Sequence, residues 1–572
     1  MLANQKVAII GGGPSGLFML KKLLDSRISD IEVDVFEKGD QLGAGMPYST
    51  AGANKEHVTN VSANEIPPLE VSVTDWIKSV HPDTLARFGI AVDHFNEYKV
   101  LPRLLFGQYL SDQFEQLKTR AKEEGLALQI FYRTEVVDMF DLPEHELVEL
   151  KLATGERMQY QRAIICTGHH WPKTHEGVVP GYFDSPYPPA KLKTVANFPV
   201  AIRGASLTAI DAIRTLARVN GSYSKDKDGM LTYQVNKENP EFRLVLHSLS
   251  GLLPAIRFHL EDSMLGKDTL YSPEEVTAIR EANEGFVPLD MVFEEKFLKP
   301  LAAHDPEFFK KIDAEDLSIE KFVDQMLSFR EDIDSFELFK AEYRQAEKSI
   351  KRRESVYWKE MLGALSYTMN YPAKYFSAED MLRLKKTLMP LISLVIAFVP
   401  QSSAEEMLAL HQAGVLELLA VGTASKVEPK KEGGITYHYK DAAGQKHAVD
   451  YAMFVDCIGQ PHLPFDAFPY QGLKQNDVIA PAKLNFRSNE VAIQMKPKNE
   501  MIGCWENGNY YLKVSGIAIN DHFQVLDAYN AFNPRIYVMA VPLIGGYNPD
   551  YSGLDFSETA ATAIAARLGE VT

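Results

Sequence analysis

Three glycines near the amino terminus have the residue type and the spacing to bind a phosphate group. The run "KVAIIGGGPSGL" places Gly11, Gly13 and Gly16 after a buried-strand pattern and before a helix. In such a turn the first glycine permits the tight bend, the second lets the backbone approach a pyrophosphate, and the third lets helix and strand pack closely. Pro14 and Ser15 would open the helix, whose N-terminus then faces the anion. The spacing predicts a dinucleotide-binding turn.

An acidic residue follows at the distance such a turn requires. The second strand, "EVDVFEK", ends in Glu37 and Lys38, about 20 residues beyond the glycines. The Glu37 carboxylate is placed to accept hydrogen bonds from a ribose diol. Strand, turn, helix, strand and acid together are far more specific than the glycines alone.

Features later in the chain favour FAD over NAD as the dinucleotide. The glycine-rich loop "GDQLGAGMPYST" follows Glu37, as a cofactor extending beyond its adenosine would require. The strand in "RAIICTGHHWP" ends at Thr167 and Gly168, which resembles the ATG-type turn of flavoproteins with two dinucleotide domains. A last strand, a loop with Gly545 and Gly546, and a helix from near Ser557 would return to the first domain beside a flavin ring.

A second turn, "VAIRGASLTAIDAIRTL", has the outline of a nicotinamide site but keeps one glycine of three. Gly204 permits the bend, whereas Ser206 and Ala209 occupy the other two glycine positions. Ser206 adds side-chain bulk where the backbone must approach the pyrophosphate. Ala209 slightly increases the distance at which helix and strand can pack. Thr208 lies in the first turn of the helix and is a further candidate contact.

The strand after this second turn lacks the arginine that would bind the 2'-phosphate of NADP. It ends "HSLSG", with Ser248 in the region concerned. Arg203 and Arg257 are candidate substitutes. Three interpretations stay open: NADPH binds through substitute arginines, NADH binds, or no nicotinamide binds and the domain is a scaffold.

Consecutive motifs resemble the FAD/NAD(P)-binding family that includes bacterial urate hydroxylase and aspartate N-monooxygenase relatives. They are "GAGMPYST", "HVTNVSA", "VLPRLLFGQYL", "SLSGLLP" and "AVPLIGG", in the family's order. The resemblance covers about the first 260 and the last 180 residues, by the order of these motifs. It implies bound FAD, with its phosphates and ribose near Gly11, Gly13, Gly16, Glu37 and Arg103, its ring near Asn60, and its adenine against the backbone of Val136.

Two positions have competing interpretations. Arg103 precedes an amphipathic helix, and its guanidinium suits a carboxylate as well as a phosphate. The last strand ends Ala540-Val541-Pro542, without the Gly-Asp pair with which many flavoproteins bind the ribityl chain. We therefore expect the backbone amides of Gly545 and Gly546 to take that place.

The motifs, their order and the resemblance imply an α/β protein with two Rossmann-like domains, the FAD domain discontinuous, and helical periodicity indicates a mainly helical insertion. The chain has 572 residues, which exceeds one core. We expect the first part of the FAD domain over 1–190, the second Rossmann-like domain over 196–271 and 389–462, the helical insertion over 272–388, and the FAD-domain return over 463–572.

Charge and cysteine usage restrict the partners. The formal net charge of -17 opposes nucleic-acid binding, and the three cysteines, Cys166, Cys457 and Cys504, form no metal or disulfide pattern. We expect buried thiols in a reducing compartment. The most apolar run, Leu388 to Pro400, is too short to cross a bilayer, and no signal-peptide pattern opens the chain. These observations predict a cytoplasmic protein without a metal site.

The middle of the chain and the first domain crossover supply the remaining candidates. Helical periodicity predicts either a lid over the flavin or a brace between the domains. The basic run Lys348 to Ser355 is a solvated helix face or an anion contact. His169 and His170 border the expected flavin cleft and, with Asn60, are candidate catalytic residues.

Three functions are consistent with these motifs. The first is an FAD monooxygenase reduced by NADPH or NADH, with oxygen held at the flavin C4a and one oxygen atom passed to a small polar substrate, anionic or amino-acid-like, for instance at nitrogen. The second is an oxidase or dehydrogenase whose substrate reduces FAD directly. The third is a non-catalytic, redox-responsive flavin-binding partner protein.

Overall fold

The computed structural model describes residues 5–28, 30–92, 95–168, 171–261, 270–312, 317–460, 462–549 and 553–571. Two parallel sheets flanked by helices form its two nucleotide-binding-type domains, and helices form most of its middle region. This is the mixed α/β architecture that the sequence predicts.

The first domain is built on strands that are apolar throughout, because helices and a second sheet cover both faces of the central sheet. Val7, Ala8 and Ile9 have no exposed surface. The elements of this segment are β1 (Gln5–Ile10), α1 (Pro14–Asp25), β2 (Ile31–Phe36), β3 (Val58–Ser62), α2 (Val73–Ser79), α3 (Pro82–Ala86), β4 (Val100–Pro102), α4 (Arg103–Glu123), β5 (Ala127–Phe131), β6 (Val136–Leu142), β7 (Leu147–Leu152), β8 (Arg157–Tyr160) and β9 (Arg162–Ile165).

The second domain begins after a crossover and repeats the strand, turn and helix pattern. Its helix is amphipathic, with Ile210, Ile213 and Leu216 buried against the sheet. The elements are β10 (Tyr182–Phe183), β11 (Pro199–Arg203), α5 (Leu207–Asn220), β12 (Gly221–Lys225), β13 (Leu231–Val235) and β14 (Arg243–Ser248).

The middle region is helical, as its periodicity predicts, and has its own apolar core. Two of its helices each contain a five-residue π-helical segment, Glu294–Leu298 and Leu384–Leu388. Such segments widen a helix and re-aim its side chains. The helices are α6 (Pro273–Ala282), α7 (Leu289–Phe293), α8 (Lys299–His304), α9 (Pro306–Lys311), α10 (Ile319–Glu331), α11 (Ser335–Arg352), α12 (Tyr357–Thr368), α13 (Ala378–Arg383) and α14 (Met389–Val395).

The chain then completes the second domain. Its five-stranded parallel sheet has the order β10-β19-β11-β14-β15, and β16, β17 and β18 form an antiparallel sheet beside it. The elements are α15 (Gln401–Gln412), β15 (Leu416–Ala420), β16 (Lys426–Pro429), β17 (Ile435–Lys440), β18 (Lys446–Tyr451) and β19 (Met453–Asp456).

The last segment returns to the first domain and completes a six-stranded sheet with the order β23-β24-β9-β1-β2-β5. Before that, β20, β21 and β22 form a sheet whose Leu484 and Leu512 share the core of the middle region, a contact that the sequence does not predict. The elements are α16 (Gln471–Gln475), β20 (Pro481–Asn485), α17 (Asn489–Met495), β21 (Ile502–Cys504), β22 (Tyr510–Ile517), β23 (Gln524–Leu526), β24 (Phe532–Val538), α18 (Val541–Ile544) and α19 (Leu554–Val571).

The three cysteines are free thiols in the structure. Cys166 and Cys457 are buried, as expected, whereas Cys504 is exposed at the end of β21, so the expectation of three buried thiols was wrong for that residue. In the described part of the chain, no helix combines the length and the apolar character needed to span a bilayer.

Close packing of α1 on β1 depends on Gly16. A Cβ atom at this position would lie 2.2 Å from the carbonyl oxygen of Gly11. We expect Gly16→Ala to lower the free energy of unfolding by about 1–3 kcal/mol, because backbone would have to move apart. Urea unfolding measures the effect.

The matched control is Gly569→Ala in α19, where the nearest atom to a new Cβ is 3.9 Å away. This variant should be as stable as the parent protein or slightly more stable. Equal stability of the two variants would contradict the packing role of Gly16.

Candidate dinucleotide and flavin site

The first turn has the backbone geometry of a dinucleotide-binding loop. Gly11 has a φ of 108°, and its N–H donates to the Phe36 carbonyl at 2.8 Å. A Cβ at Gly11 would lie 2.7 Å from the Cys166 carbonyl oxygen. Only glycine satisfies both the φ and the spacing here. The turn therefore brings the carboxyl ends of β1, β2 and β9 together, where a ligand of this fold binds.

Glu37 is held across this turn by backbone amides. Its two carboxylate oxygens accept from Gly12 N at 2.9 Å and from Gly39 N at 2.7 Å. These bonds fix the carboxylate at the end of β2, where a ribose diol would meet it. Lys38 is exposed beside it.

Two helix N-termini lie side by side at this edge. Gly13 precedes α1 without a side-chain cap, and the Ser15 and Ser557 hydroxyl oxygens are 3.1 Å apart, which joins the start of α1 to the first turn of α19. Uncapped helix N-termini favour anions. The uncapped turn, the close backbone approach at Gly11 and the fixed Glu37 carboxylate fit the pyrophosphate and ribose of FAD. α19 begins at Leu554, a few residues before the expected position.

The return loop differs from the expectation for Gly545 and Gly546. The Gly546 N–H donates to the Ser515 carbonyl at 2.7 Å, so this amide serves the fold and does not replace a ribityl-binding aspartate. Gly545 is buried beneath His462, and a Cβ on Gly545 would overlap the imidazole ring. The loop thus brings a histidine from the second crossover against the end of β24.

The second turn repeats the first in its backbone. Gly204 has a φ of 101°, its N–H donates to the His247 carbonyl at 2.9 Å, and its Cβ would lie 2.7 Å from the Cys457 carbonyl oxygen. Ser206 precedes α5 in extended conformation, and its side chain does not cap the helix. Gly13 has the same conformation before α1 and also provides no side-chain cap. The turn therefore forms with Ser206 and Ala209 at two of its three glycine positions.

The edge of the second sheet differs from the first in its side chains. By strand register, Ser248 takes the place of Glu37, because His247 pairs with Arg203 as Phe36 pairs with Ile10. The Ser248 hydroxyl accepts from Gly251 N at 3.2 Å. No carboxylate therefore stands at the end of β14.

Neither candidate arginine is free at this edge. Arg257 is 3% exposed, and its guanidinium donates to Asn60 O, to Ser62 Oγ at 2.8 Å and to the Glu65 carboxylate. The hypothesis that Arg257 binds the 2'-phosphate was therefore wrong, because the Glu65 charge holds it inside the protein. Arg203 is 41% exposed and pairs with Asp456 at 3.2 Å. Burial raises the pKa of Asp456.

Arg103 joins the two domains. Its Nη1 donates to Asp211 Oδ2 on α5 at 2.5 Å and its Nε donates to Val58 O at 2.9 Å. The Tyr187 hydroxyl donates to the same Asp211 oxygen at 2.7 Å. The guanidinium thus binds a carboxylate, and its assignment to the FAD phosphates is corrected.

Electrostatics favour the charged form of this buried pair. Burial alone would raise the pKa of Asp211, but the charges of Arg103 and His57 and the Tyr187 hydrogen bond outweigh it and lower the pKa below 3.8. Burial lowers the pKa of His57, whose Nε2 lies 3.1 Å from both Asp211 O and Thr215 Oγ1.

The other predicted positions lie around the first turn or the interface between domains. Asn60 is exposed on β3 and Val136 is buried at the start of β6. Thr167 is half-buried and Gly168 exposed after β9, while Thr208 is half-buried in the first turn of α5. The structure does not test their ligand contacts, so these remain predictions. His169 and His170 lie outside the described residues.

No sequence pattern identified His462, which packs on Gly545, or Lys385. Burial, followed by the charge of Lys385, lowers the pKa of His462 to about 4. The two residues come from segments 77 positions apart in different units, so no local pattern links them. Among the described residues no cluster of three or more His, Cys, Asp or Glu side chains could hold a metal ion.

Two regions of the chain match models of known families. Residues 8–170 match the FAD-NAD(P)-binding family model, and residues 272–396 match the model of the YdhS-like middle domain. The first match supports FAD and a nicotinamide nucleotide as the cofactors of this protein, and the second covers most of the helical middle region.

Individual relatives extend this finding. The YdhS protein of Escherichia coli K12 is 26% identical over 478 residues, which are 82% of this chain and 86% of the relative. The L-lysine 6-monooxygenase structure from Pseudomonas syringae aligns with a TM-score of 0.48 at 11% identity over 99% of both chains. The bacillithiol disulfide reductase of Staphylococcus aureus aligns with a TM-score of 0.41 at 11% identity over 99% of this chain and 98% of that one. Neither structural likeness carries an argument about activity.

The Asp211 carboxylate should be a major determinant of stability. Asp211→Asn leaves the buried Arg103 guanidinium without its counter-charge, and we expect a loss of about 3–5 kcal/mol in unfolding free energy. The pKa of Asp211 is lower in the folded protein than the ordinary aspartate value of 3.8. The stabilisation that the Asp211 carboxylate provides is therefore complete at pH values above this ordinary pKa, and it disappears as the pH falls through the lower pKa of the folded state.

Urea unfolding at a series of pH values measures this. The difference in unfolding free energy between the parent protein and Asp211→Asn should be constant from about pH 7 to about pH 5 and should become smaller below about pH 4. Asp466→Asn is the control, since its pair with Lys474 is solvent-exposed, and it should unfold like the parent. A difference in unfolding free energy that increases at acidic pH would contradict a stabilising ion pair between ionised Asp211 and Arg103.

Proposed function

We propose that the protein is an FAD-dependent oxidoreductase whose second turn binds the nicotinamide nucleotide that delivers hydride to FAD. The observation that carries this proposal is the equivalence of the turns at Gly204 and Gly11, which agree in φ, in hydrogen bonding and in backbone spacing.

Exposed side chains at the second turn suit a flat ring. Leu249 is 63% exposed after β14 and Ile458 is 59% exposed after β19, on either side of Gly204. Large apolar side chains so placed become buried when a nucleotide fills the crevice between them. The amides at the start of α5 then face its pyrophosphate.

Each part of the site has a separate task in this proposal. FAD, when bound, supplies the two-electron chemistry. Glu37 orients the ribose, and the buried loop around Gly545, with His462 packed on it, limits access of water. Arg103 and Asp211 hold α5 in place relative to the first domain.

We further propose that the reduced protein is a monooxygenase acting on a small polar substrate. The support is the motif resemblance of the first 260 residues, together with the site just described. A second candidate is an oxidase or dehydrogenase reduced by its own substrate. The burial of Arg257 on Glu65 is consistent with it, because this ion pair removes one of the two candidate arginines for the 2'-phosphate of NADPH.

Anaerobic mixing separates the two candidates. The FAD-loaded protein is mixed with NADPH and separately with NADH, and the visible flavin absorbance is followed with and without a panel of amines and amino acids. Bleaching by either nucleotide supports the proposal, and subsequent oxygen consumption with formation of hydroxylated product supports the monooxygenase. Bleaching by a panel compound alone would favour the second candidate.

Ser206→Asp tests the second turn directly. Aspartate is a good N-cap, so the helix should be at least as stable, but its carboxylate stands where the pyrophosphate would bind. We expect the nucleotide concentration for half-maximal bleaching to rise about tenfold or more.

Ser222→Asp, at an exposed position in β12, is the control and should bleach like the parent protein. Unchanged nucleotide dependence in Ser206→Asp would place the nicotinamide site elsewhere.

A further inference from the structure

The end of the second sheet carries an ion pair where the first sheet carries two apolar side chains. By strand register, Arg203 of β11 lies beside Asp456 of β19. The corresponding pair in the first domain is Ile10 and Ile165, which are both buried. Arg203 is 41% exposed, and its guanidinium pairs with the Asp456 carboxylate at 3.2 Å. The two turns therefore share a backbone conformation but differ in the charge at the strand ends beside them.

The end of β14 is where NAD and NADP would be distinguished, because the 2'-oxygen of the adenosine ribose meets the end of this strand in a Rossmann fold. Ser248 stands there, and its hydroxyl accepts from Gly251 N at 3.2 Å, so this side chain is engaged by its own loop. Arg203 lies on the neighbouring strand in register with His247, about 5 Å away across the sheet. Arg203 is thus the candidate arginine that is both close to this position and accessible.

A 2'-phosphate requires a cation whose charge is not already cancelled. It carries a charge of about −1.5 to −2 near neutral pH and is bound best by a guanidinium with available N–H groups. The Asp456 carboxylate already accepts an N–H of Arg203, cancels its charge and would itself repel the phosphate. A ribose with a free 2'-hydroxyl carries no such charge and meets no such repulsion.

The Asp456 carboxylate is also bonded to the loop that follows β19. Its second oxygen accepts from Ile458 N at 3.3 Å, and the Ile458 side chain is one of the two exposed apolar groups beside the second turn. The ion pair is therefore part of the edge at which the proposed nucleotide binds.

We propose that Asp456 is the specificity-determining residue of the nicotinamide site and that, by neutralising Arg203, it makes NADH the nucleotide that this protein uses. This inference rests on the proposed function, because it takes the second turn as the nucleotide site. Asp456→Asn keeps the shape of the side chain and leaves the Arg203 guanidinium available to a 2'-phosphate.

The test is a calorimetric titration of the oxidised, FAD-loaded protein with NAD⁺ and, separately, with NADP⁺. Neither nucleotide can reduce the flavin, so binding is measured without hydride transfer. We expect the parent protein to bind NAD⁺ about tenfold or more tightly than NADP⁺. Asp456→Asn should shift the ratio of the two Kd values toward NADP⁺ by about tenfold or more.

Two further variants separate specificity from a general effect on folding. Arg203→Met combined with Asp456→Asn should lose the gain in NADP⁺ affinity, because that gain depends on the guanidinium. Asp450→Asn is the matched control, since its exposed carboxylate pairs with Lys430 at 3.2 Å in the same domain, and it should keep the ratio of the parent. The visible absorbance of bound FAD shows that each variant is folded, and the ratio in the parent tests the inference without any variant.

Three results would overturn the inference: a parent that binds NADP⁺ at least as tightly as NAD⁺, an unchanged ratio in Asp456→Asn, or a gain in NADP⁺ affinity that persists in the double variant. The expected ratios without bleaching of the flavin by NADH would reject the proposed hydride delivery and keep the assignment of Asp456. Absence of binding by both nucleotides would reject the nucleotide site and this inference together.

Discussion

The buried ion pair between Arg103 and Asp211 is the contact on which the arrangement of the two nucleotide-binding domains depends. Arg103 begins α4 of the first domain, and Asp211 lies on α5, the helix whose N-terminus closes the second turn. A charge buried at this position must keep its partner, because an uncompensated charge in the interior is costly. The pair therefore fixes the N-terminus of α5 relative to the first domain and, with it, the distance between the two dinucleotide turns.

The middle region strengthens the same arrangement from outside. Arg330 donates to the Leu253 carbonyl and Ser335 to the Gly251 carbonyl, both in the loop after β14. At the other end, Lys374 pairs with Asp521 of the return segment. One helical unit thus contacts both domains, so a large rotation of one domain against the other would break hydrogen bonds at one interface and an ion pair at the other.

Local sequence patterns predicted what depends on local geometry. The glycines at 11, 13 and 16, the acid at 37 and the apolar strands define the first turn within a short stretch, and the helical period of 272–388 identifies the middle region. Local sequence patterns do not predict which groups the arginine side chains bind. Arg257 and Arg103 bind Glu65 and Asp211, which lie 192 and 108 positions away, and a guanidinium satisfies a carboxylate as readily as a phosphate. Only the tertiary fold decides between them, which is also why His462 and Lys385 were not predicted.

The replacements at the second turn distinguish a binding site from a scaffold better than the missing glycines suggest. Gly204 has a positive φ, so either role requires it. Ser206 is in extended conformation, which any residue adopts, so serine there costs the turn nothing. Ala209 is fully buried, and its N–H donates to Ser206 O at 2.9 Å, so the alanine methyl group fits at the start of the helix. The N-terminus of α5, which has no side-chain cap, and the exposed Leu249 and Ile458 beside it are therefore the features on which the proposed nicotinamide site depends.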